Sequence, residues 1–247
     1  MTIIACYSNK GGVGKTATAV NLAHAFAARG RRVLLCDLDP QGASSFYFRV
    51  KPSKKLKDDA FFRDVARFTC AIRGSDFDAL DILPANMTFR DFDVFLSRMR
   101  NSRSRLKKAL KSVGSDYDIV LLDCPPNIST LSENVFRAAD AIVVPVIPTT
   151  LSERTFEQLL DFFREHDLPR RKLMPFFSMV DGRKRLHAET EKRLRSAHRK
   201  RFLKAAIPVS SDIEKMGVHR APVAAFARGS EARRAYEALC REVTARL

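Results

Sequence analysis

The segment Ser8-Asn9-Lys10-Gly11-Gly12-Val13-Gly14-Lys15-Thr16 constrains this chain more than any other. It lies between a short apolar run, Thr2 to Tyr7, and an alanine-rich run with helical character, so it reads as a glycine-rich loop joining a strand to a helix. Glycines in that setting let successive backbone N–H groups turn inward around an anion, and the helix N-terminus that follows adds its partial positive charge. Lys15 and Thr16, at the head of the helix, bring an ammonium and a hydroxyl that suit phosphate oxygens and a divalent cation. A loop of this kind belongs to an α/β fold.

The rest of the pattern agrees. Apolar stretches rich in β-branched residues predict strands near 2–7, 32–36, 80–83, 118–123, 141–146, 174–180 and 203–207. Helical stretches fall between them, near 14–29, 59–68, 89–111, 131–138, 152–165, 186–201 and 229–246. The expectation is a mostly parallel twisted sheet with helices on both faces, in a single domain over residues 1–247. The glycine loop follows the first strand directly, so no N-terminal helix-turn-helix domain is expected. The five cysteines are scattered without a Cys-x-x-Cys pair, and the five histidines lack ligand spacing. Neither a zinc site nor a redox motif is expected, and a reduced, cytoplasmic setting fits. No apolar run approaches the roughly 20 residues that span a bilayer.

Two further segments carry acids at the ends of strands. Leu35-Cys36-Asp37-Leu38-Asp39-Pro40-Gln41-Gly42 follows the second strand, and Pro40 ends that strand just beyond Asp39. The run Ile119-Val120-Leu121-Leu122 ends in Asp123-Cys124-Pro125-Pro126. An aspartate closing a strand is often only a turn or cap residue. Two such segments following a glycine loop in order point instead to one ligand site at the carboxyl ends of the strands. Cys124 reads as a small core residue beside it.

The loop lacks the glycine that a standard phosphate loop has at position 9 and carries a second lysine, Lys10. With the Asp-x-Asp-Pro-Gln-Gly segment and the Asp123 segment, it resembles the ParA/MinD family of deviant P-loop ATPases. The likeness continues through Ala138-Ala139-Asp140, Val144-Pro145-Val146, Met179-Val180-Asp181-Gly182-Arg183, Ile207-Pro208 and the closing helix. It implies a P-loop NTPase-type fold that hydrolyses ATP with Mg²⁺. By the same resemblance, Lys10, Gly11, Gly12, Val13, Gly14, Lys15, Thr16 and Ala17 hold the phosphates, and Lys10 reaches the nucleotide of the partner in an ATP-dependent homodimer. Asp39 orients the attacking water, Thr16, Asp37 and Asp123 serve the magnesium, and Ile207 and Pro208 lie near the adenine. Two departures stand out: Ala17, where relatives often have threonine, and Val209-Ser210-Ser211-Asp212, where they often carry arginine and asparagine.

The formal net charge is +16, and it is concentrated. Arg98 to Lys111 holds seven basic and no acidic residues, and Asp181 to Lys204 holds ten basic and three acidic. On a helical wheel over 186–201, Leu186, Thr190, Leu194 and Ala197 form one stripe, while Lys192, Arg193, Arg195, Arg199 and Lys200 crowd the other side. Such faces are either solvated surfaces or sites of non-specific phosphate binding. The DNA-binding candidates are Arg183, Lys184, Lys192, Arg195, Arg199 and Lys200, with Arg183 in the position the family uses. Two functions follow from the resemblance. One is a nucleoid-bound ParA-like ATPase that partitions or positions a cargo and answers to a ParB-like or adaptor protein that stimulates hydrolysis. The alternative is a MinD-like regulator on the membrane. In the last helix Ala232, Tyr236, Leu239 and Val243 read as a core-facing stripe, so no stable membrane association is expected.

Overall fold

The computed structural model describes residues 1–52, 60–100, 102–198 and 201–247. Its centre is one eight-stranded sheet in the order β3-β4-β2-β5-β1-β6-β7-β8. The strands are β1 (Thr2–Cys6), β2 (Val33–Asp37), β3 (Arg73–Gly74), β4 (Leu80–Leu83), β5 (Ile119–Asp123), β6 (Ala141–Val146), β7 (Leu173–Val180) and β8 (Ala206–Pro208). Every neighbouring pair is parallel except β3 with β4. Strands β2, β5 and β6 are buried at every residue, which is why they read as unbroken apolar runs: parallel strands in mid-sheet are covered on both faces.

Successive strand residues feed opposite layers. Ile3 and Ala5 pack with helices α5 (Phe92–Ser97), α6 (Arg105–Lys111), α7 (Thr130–Ala138) and α8 (Thr150–Glu165). Ile4 and Cys6 pack with α1 (Lys15–Ala27) and α13 (Glu231–Arg246) on the other face. Ala232, Tyr236, Leu239, Cys240 and Val243 of α13 are all buried, so the apolar stripe of the last helix faces the core. Among the described residues no helix is long and apolar enough to cross a membrane.

The strand order positions the site. Because β5 lies between β1 and β2, the three strand ends that carry the glycine loop and the acidic segments are adjacent. Their register is level, with Cys6 opposite Asp123 and Asp123 opposite Asp37.

Several elements differ from the sequence expectation. The helix expected over 89–111 is broken: a 3-10 turn at Met87–Asp91 leads into α5, a second at Ser102–Ser104 leads into α6, and among the described residues no helix joins them. The connecting residues are mostly serine, arginine and asparagine with no apolar period, and the Ser97 hydroxyl bonds back to the Val94 carbonyl at 2.9 Å. The helix expected over 59–68 is likewise two pieces, α3 (Ala60–Arg63) and α4 (Val65–Ala71), and Asp64 caps the second; residue 59 lies outside the described residues. The last strand starts three residues later than expected, at Ala206. Short helices α2 (Ala43–Tyr47), α10 (Ser211–Glu214), α11 (Met216–His219) and α12 (Val223–Phe226) are too brief to show a period, as is strand β3. In α9 (Arg185–Ala197) the buried stripe is His187, Thr190 and Leu194, while Leu186 is half exposed and Ala197 exposed. The wheel is turned by one position at its start because the His187 ring accepts the Asp181 N–H at 3.1 Å and so is drawn inward.

Candidate active site

The glycine loop owes its shape to two residues. Gly12 and Gly14 have φ of +70° and +90°, the left-handed region that side chains resist. At Gly14 a Cβ would also meet the Ser178 hydroxyl at 3.1 Å, so the end of β7 closes against the loop. The first turn of α1 is fastened by the Thr18 hydroxyl, which donates to the Gly14 carbonyl at 2.7 Å. Lys15 is only 7% exposed and its ammonium donates to the Lys10 carbonyl at 3.1 Å. Burial lowers its pKa, with Asp123 and Asp39 opposing. Lys10 turns the other way, where its ammonium donates to the Ser152 hydroxyl at the start of α8, 3.3 Å away.

Asp37 and Asp123 are fully buried side by side. One oxygen of Asp37 accepts the Ser45 N–H and hydroxyl at 2.8 and 2.7 Å, and one oxygen of Asp123 accepts the Ser44 hydroxyl at 2.7 Å. Both serines lie on α2, which starts at Gly42 with φ +66° straight after the Pro40-Gln41 turn. The other oxygen of each carboxylate is buried without a hydrogen-bond partner among the described residues. Burial first, then the charge of Asp123, pushes the Asp37 carboxyl well above the usual carboxylate range. Burial also raises Asp123, against the Ser44 and Thr16 hydroxyls.

A pair of buried carboxylates with one unmatched oxygen each, next to a threonine hydroxyl, fits a hard divalent cation. No group of three or more His, Cys, Asp or Glu side chains that could cage a metal exists among the described residues. Two such carboxylates suit Mg²⁺, which is typically held by one or two carboxylates and completes its shell with water and substrate phosphate. Asp39 sits one step further out, half-buried, and accepts the Gln41 N–H at 3.0 Å. Cys124 is buried, as a core residue should be.

These residues open into a cleft of about 510 Å³. Gly11, Gly12, Gly14, Lys15, Thr16, Ala17 and Asp39 line one end, and Ile207, Pro208, Val209 and Ile213 line the other. Val13 is buried beneath the loop. Ala17 presents only a methyl group there, so no hydroxyl is available from that position. Met179, at φ +54° beside a shift in the β7–β8 register, also lines the cleft. A left-handed methionine stores strain of roughly 1–2 kcal/mol, and such strain clusters at functional sites. Ser44, Ser45, Ser178 and Met179 were not evident from sequence. The paired serines directly after Asp-Pro-Gln-Gly-Ala are a signal that could have found two of them.

The basic candidates are dispersed. The Arg183 side chain is 88% exposed and forks onto Asp181 at 2.9 and 3.0 Å, holding that carboxyl down at about 2. Lys184 and Lys192 are exposed and have no ion pair among the described residues. Arg195 is engaged internally: it donates to the Leu203 carbonyl at 2.9 Å and lies over the Phe177 ring. Arg193 pairs with Glu153 on α8. Arg199 and Lys200 lie outside the described residues.

The chain is similar to known proteins over its whole length. A family model described as an AAA domain matches residues 1–173. The chain is 30% identical to the sporulation initiation inhibitor protein Soj of Bacillus subtilis, over 98% of each chain. It is also 30% identical to the chromosome partitioning protein ParA of Caulobacter vibrioides, over 100% of this chain and 95% of that one. Among solved structures, cobyrinic acid a,c-diamide synthase from Mycobacterium smegmatis with bound ADP and magnesium superimposes with a TM-score of 0.78 at 27% identity, covering 99% and 94% of the two chains. With a likeness that runs from end to end and a glycine loop carrying two lysines, the chain belongs to the ParA/MinD family of P-loop ATPases.

Proposed function

We propose that this single-domain chain hydrolyses ATP to ADP and phosphate as the switch of a ParA-like positioning cycle: ATP joins two copies, the dimer binds nucleoid DNA without sequence preference, and a cargo-bound ParB-like or adaptor protein triggers hydrolysis and release. The observation that carries this reading is the level register of Cys6, Asp123 and Asp37, which sets the two-lysine loop beside a pair of buried carboxylates. The names of the relatives Soj and ParA support the partition role, and the ADP and magnesium in the Mycobacterium smegmatis structure support the ligands.

In this reading the backbone N–H groups from Gly11 to Thr16 and the Lys15 ammonium bind the phosphate chain, and Lys15 exchanges the Lys10 carbonyl for phosphate oxygen. Thr16, Asp37 and Asp123 would hold Mg²⁺, which would supply positive charge to offset that of the phosphate chain. Asp39 accepts a hydrogen bond from the attacking water and orients it. Ile207 and Pro208 form the wall for the base. Lys10 leaves Ser152 and reaches the partner's phosphates, so charge neutralisation is complete only in the dimer. Arg183, Lys184 and Lys192 contact DNA phosphates, with Arg195, Arg199 and Lys200 as the remaining candidates on that side.

DNA retention measured against salt, with and without ATP and Mg²⁺, tests the cycle. ATP-dependent binding that falls steeply with salt is expected. Equal retention of DNA by the nucleotide-free and ATP-bound protein would remove the switch. Binding to vesicles in the absence of DNA would favour the MinD-like alternative, which the burial of the α13 stripe opposes.

A further inference from the structure

A second cleft, about 580 Å³ in volume, lies far from the glycine loop in the fold. Its cations come from four places: Arg103 from the turn before α6, Lys107 from α6, Arg137 from the last turn of α7, and Lys172 from the residue that precedes β7. It therefore sits toward the amino ends of the strands, whereas the nucleotide site sits at their carboxyl ends. Leu168 and Pro169 add an apolar wall. The basic run Arg98–Lys111 thus does not form one stripe. Arg103 and Lys107 turn into this cleft, whereas Arg105 and Lys108 line a different one.

The charges in the cleft are under-compensated. Arg103 and Arg137 share one acceptor, an oxygen of Glu133, at 3.2 and 2.8 Å. Neither Lys107 nor Lys172 has an ion pair among the described residues. The Lys172 ammonium donates to the Phe136 carbonyl, at 3.2 Å. Burial lowers its pKa, Asp140 opposes that, and Lys107, Arg171 and Arg137 lower it further. Among the described residues, Asp167 is the one carboxylate on the rim. Four cations facing a concave space, with Glu133 shared, Asp140 acting on Lys172 and Asp167 on the rim, repel one another, and a dianion seated between the two lysines would relieve them.

We infer that this cleft binds a small phosphomonoester, with Lys107 and Lys172 on its phosphate and the organic part against Leu168 and Pro169. The volume lies in the range of small-ligand sites. The four cations converge on one concave space, a shape that suits a compact ligand more than the extended backbone of duplex DNA. The inference is independent of the ATPase cycle proposed above, because the cleft shares no residue with the nucleotide site.

The probe is ribose 5-phosphate, titrated calorimetrically into the full chain with the nucleotide site saturated by a non-hydrolysable ATP analogue and Mg²⁺. Saturable binding is expected, with none for ribose. Lys107→Ala, an exposed position that leaves the fold and ATPase rate intact, should weaken binding by about tenfold, the worth of one charge-assisted hydrogen bond. Lys172→Gln should weaken it at least as much. Failure of ribose 5-phosphate and inorganic phosphate to bind, or equal affinity in wild type and Lys107→Ala, would overturn the inference. So would a Lys107→Ala variant that loses affinity for a labelled DNA duplex while the wild type ignores ribose 5-phosphate, since the cleft would then be part of a nucleic-acid face.

Discussion

At the scale of the residue, the two lysines of the glycine loop are distinguished by burial. Lys15 is enclosed and points along the loop, so Lys15→Ala should abolish ATP binding in a filter or fluorescence assay. Lys10 rests on Ser152 outside the phosphate cradle, so Lys10→Ala should bind ATP normally and fail to dimerise. Sedimentation with a non-hydrolysable analogue that showed a dimer in both variants would end the trans role for Lys10. Ser45 gives a sharper structural test. Its hydroxyl donates to Asp37 at 2.7 Å and accepts the buried Ala85 N–H at 3.0 Å, so it joins the buried carboxylate pair to the chain leaving β4. Ser45→Ala leaves that N–H unsatisfied and should cost about 1–3 kcal/mol in urea unfolding. Loss of less than a few tenths would mean that water replaces the hydroxyl. The glycines, both lysines and the strand-end aspartates were legible because their spacing encodes chemistry. Ser45 was not, because its role depends on a partner 40 positions away that only the β2–β4 pairing brings near.

At the scale of the element, apolar runs located seven of the eight strands and the lone miss, β3, is two residues long with both side chains exposed. Long helices were legible from their period, and errors arose where a polar stretch interrupts one, as between α5 and α6. Turning the α9 wheel by one position required knowing that His187 bonds to the loop before it. The correction bears on function, since the outward face of α9 now carries Leu186 among its basic residues. If this side meets DNA, the exposed ammoniums of Lys184 and Lys192 bind the phosphates. Each alanine substitution should weaken binding about equally on all sequences and make log K fall less steeply with log salt, by about 0.9 for each phosphate no longer neutralised. Arg195→Ala should instead lower stability, because its guanidinium spans the Leu203 carbonyl and the Phe177 ring. A salt slope unchanged in Lys184→Ala and Lys192→Ala would move the DNA surface elsewhere.

At the scale of the whole molecule, a chain of net charge +16 gains further positive charge as its carboxylates protonate, so acid stability depends on acids that resist protonation. Asp118 is one. It accepts the Arg32 N–H at 2.9 Å and the Arg32 guanidinium at 2.9 Å, tying the start of β2 to the start of β5 in mid-sheet. Those bonds hold its carboxyl down at about 2. An unfolded aspartate titrates near 3.9, so between about pH 4 and pH 2 the unfolded chain binds more protons at this position than the folded one. Stability from Asp118 is therefore full above about pH 4 and is lost as pH falls toward 2. Because the pair is solvent-exposed, salt should shrink the effect. Urea unfolding of wild type and Asp118→Asn across pH 2 to 6 isolates it: the two curves should lie apart at pH 6 and converge as the pH approaches 2. A constant separation at every pH would show that Asp118 acts through shape and backbone hydrogen bonding, and that its charge adds nothing to holding the middle of the sheet together.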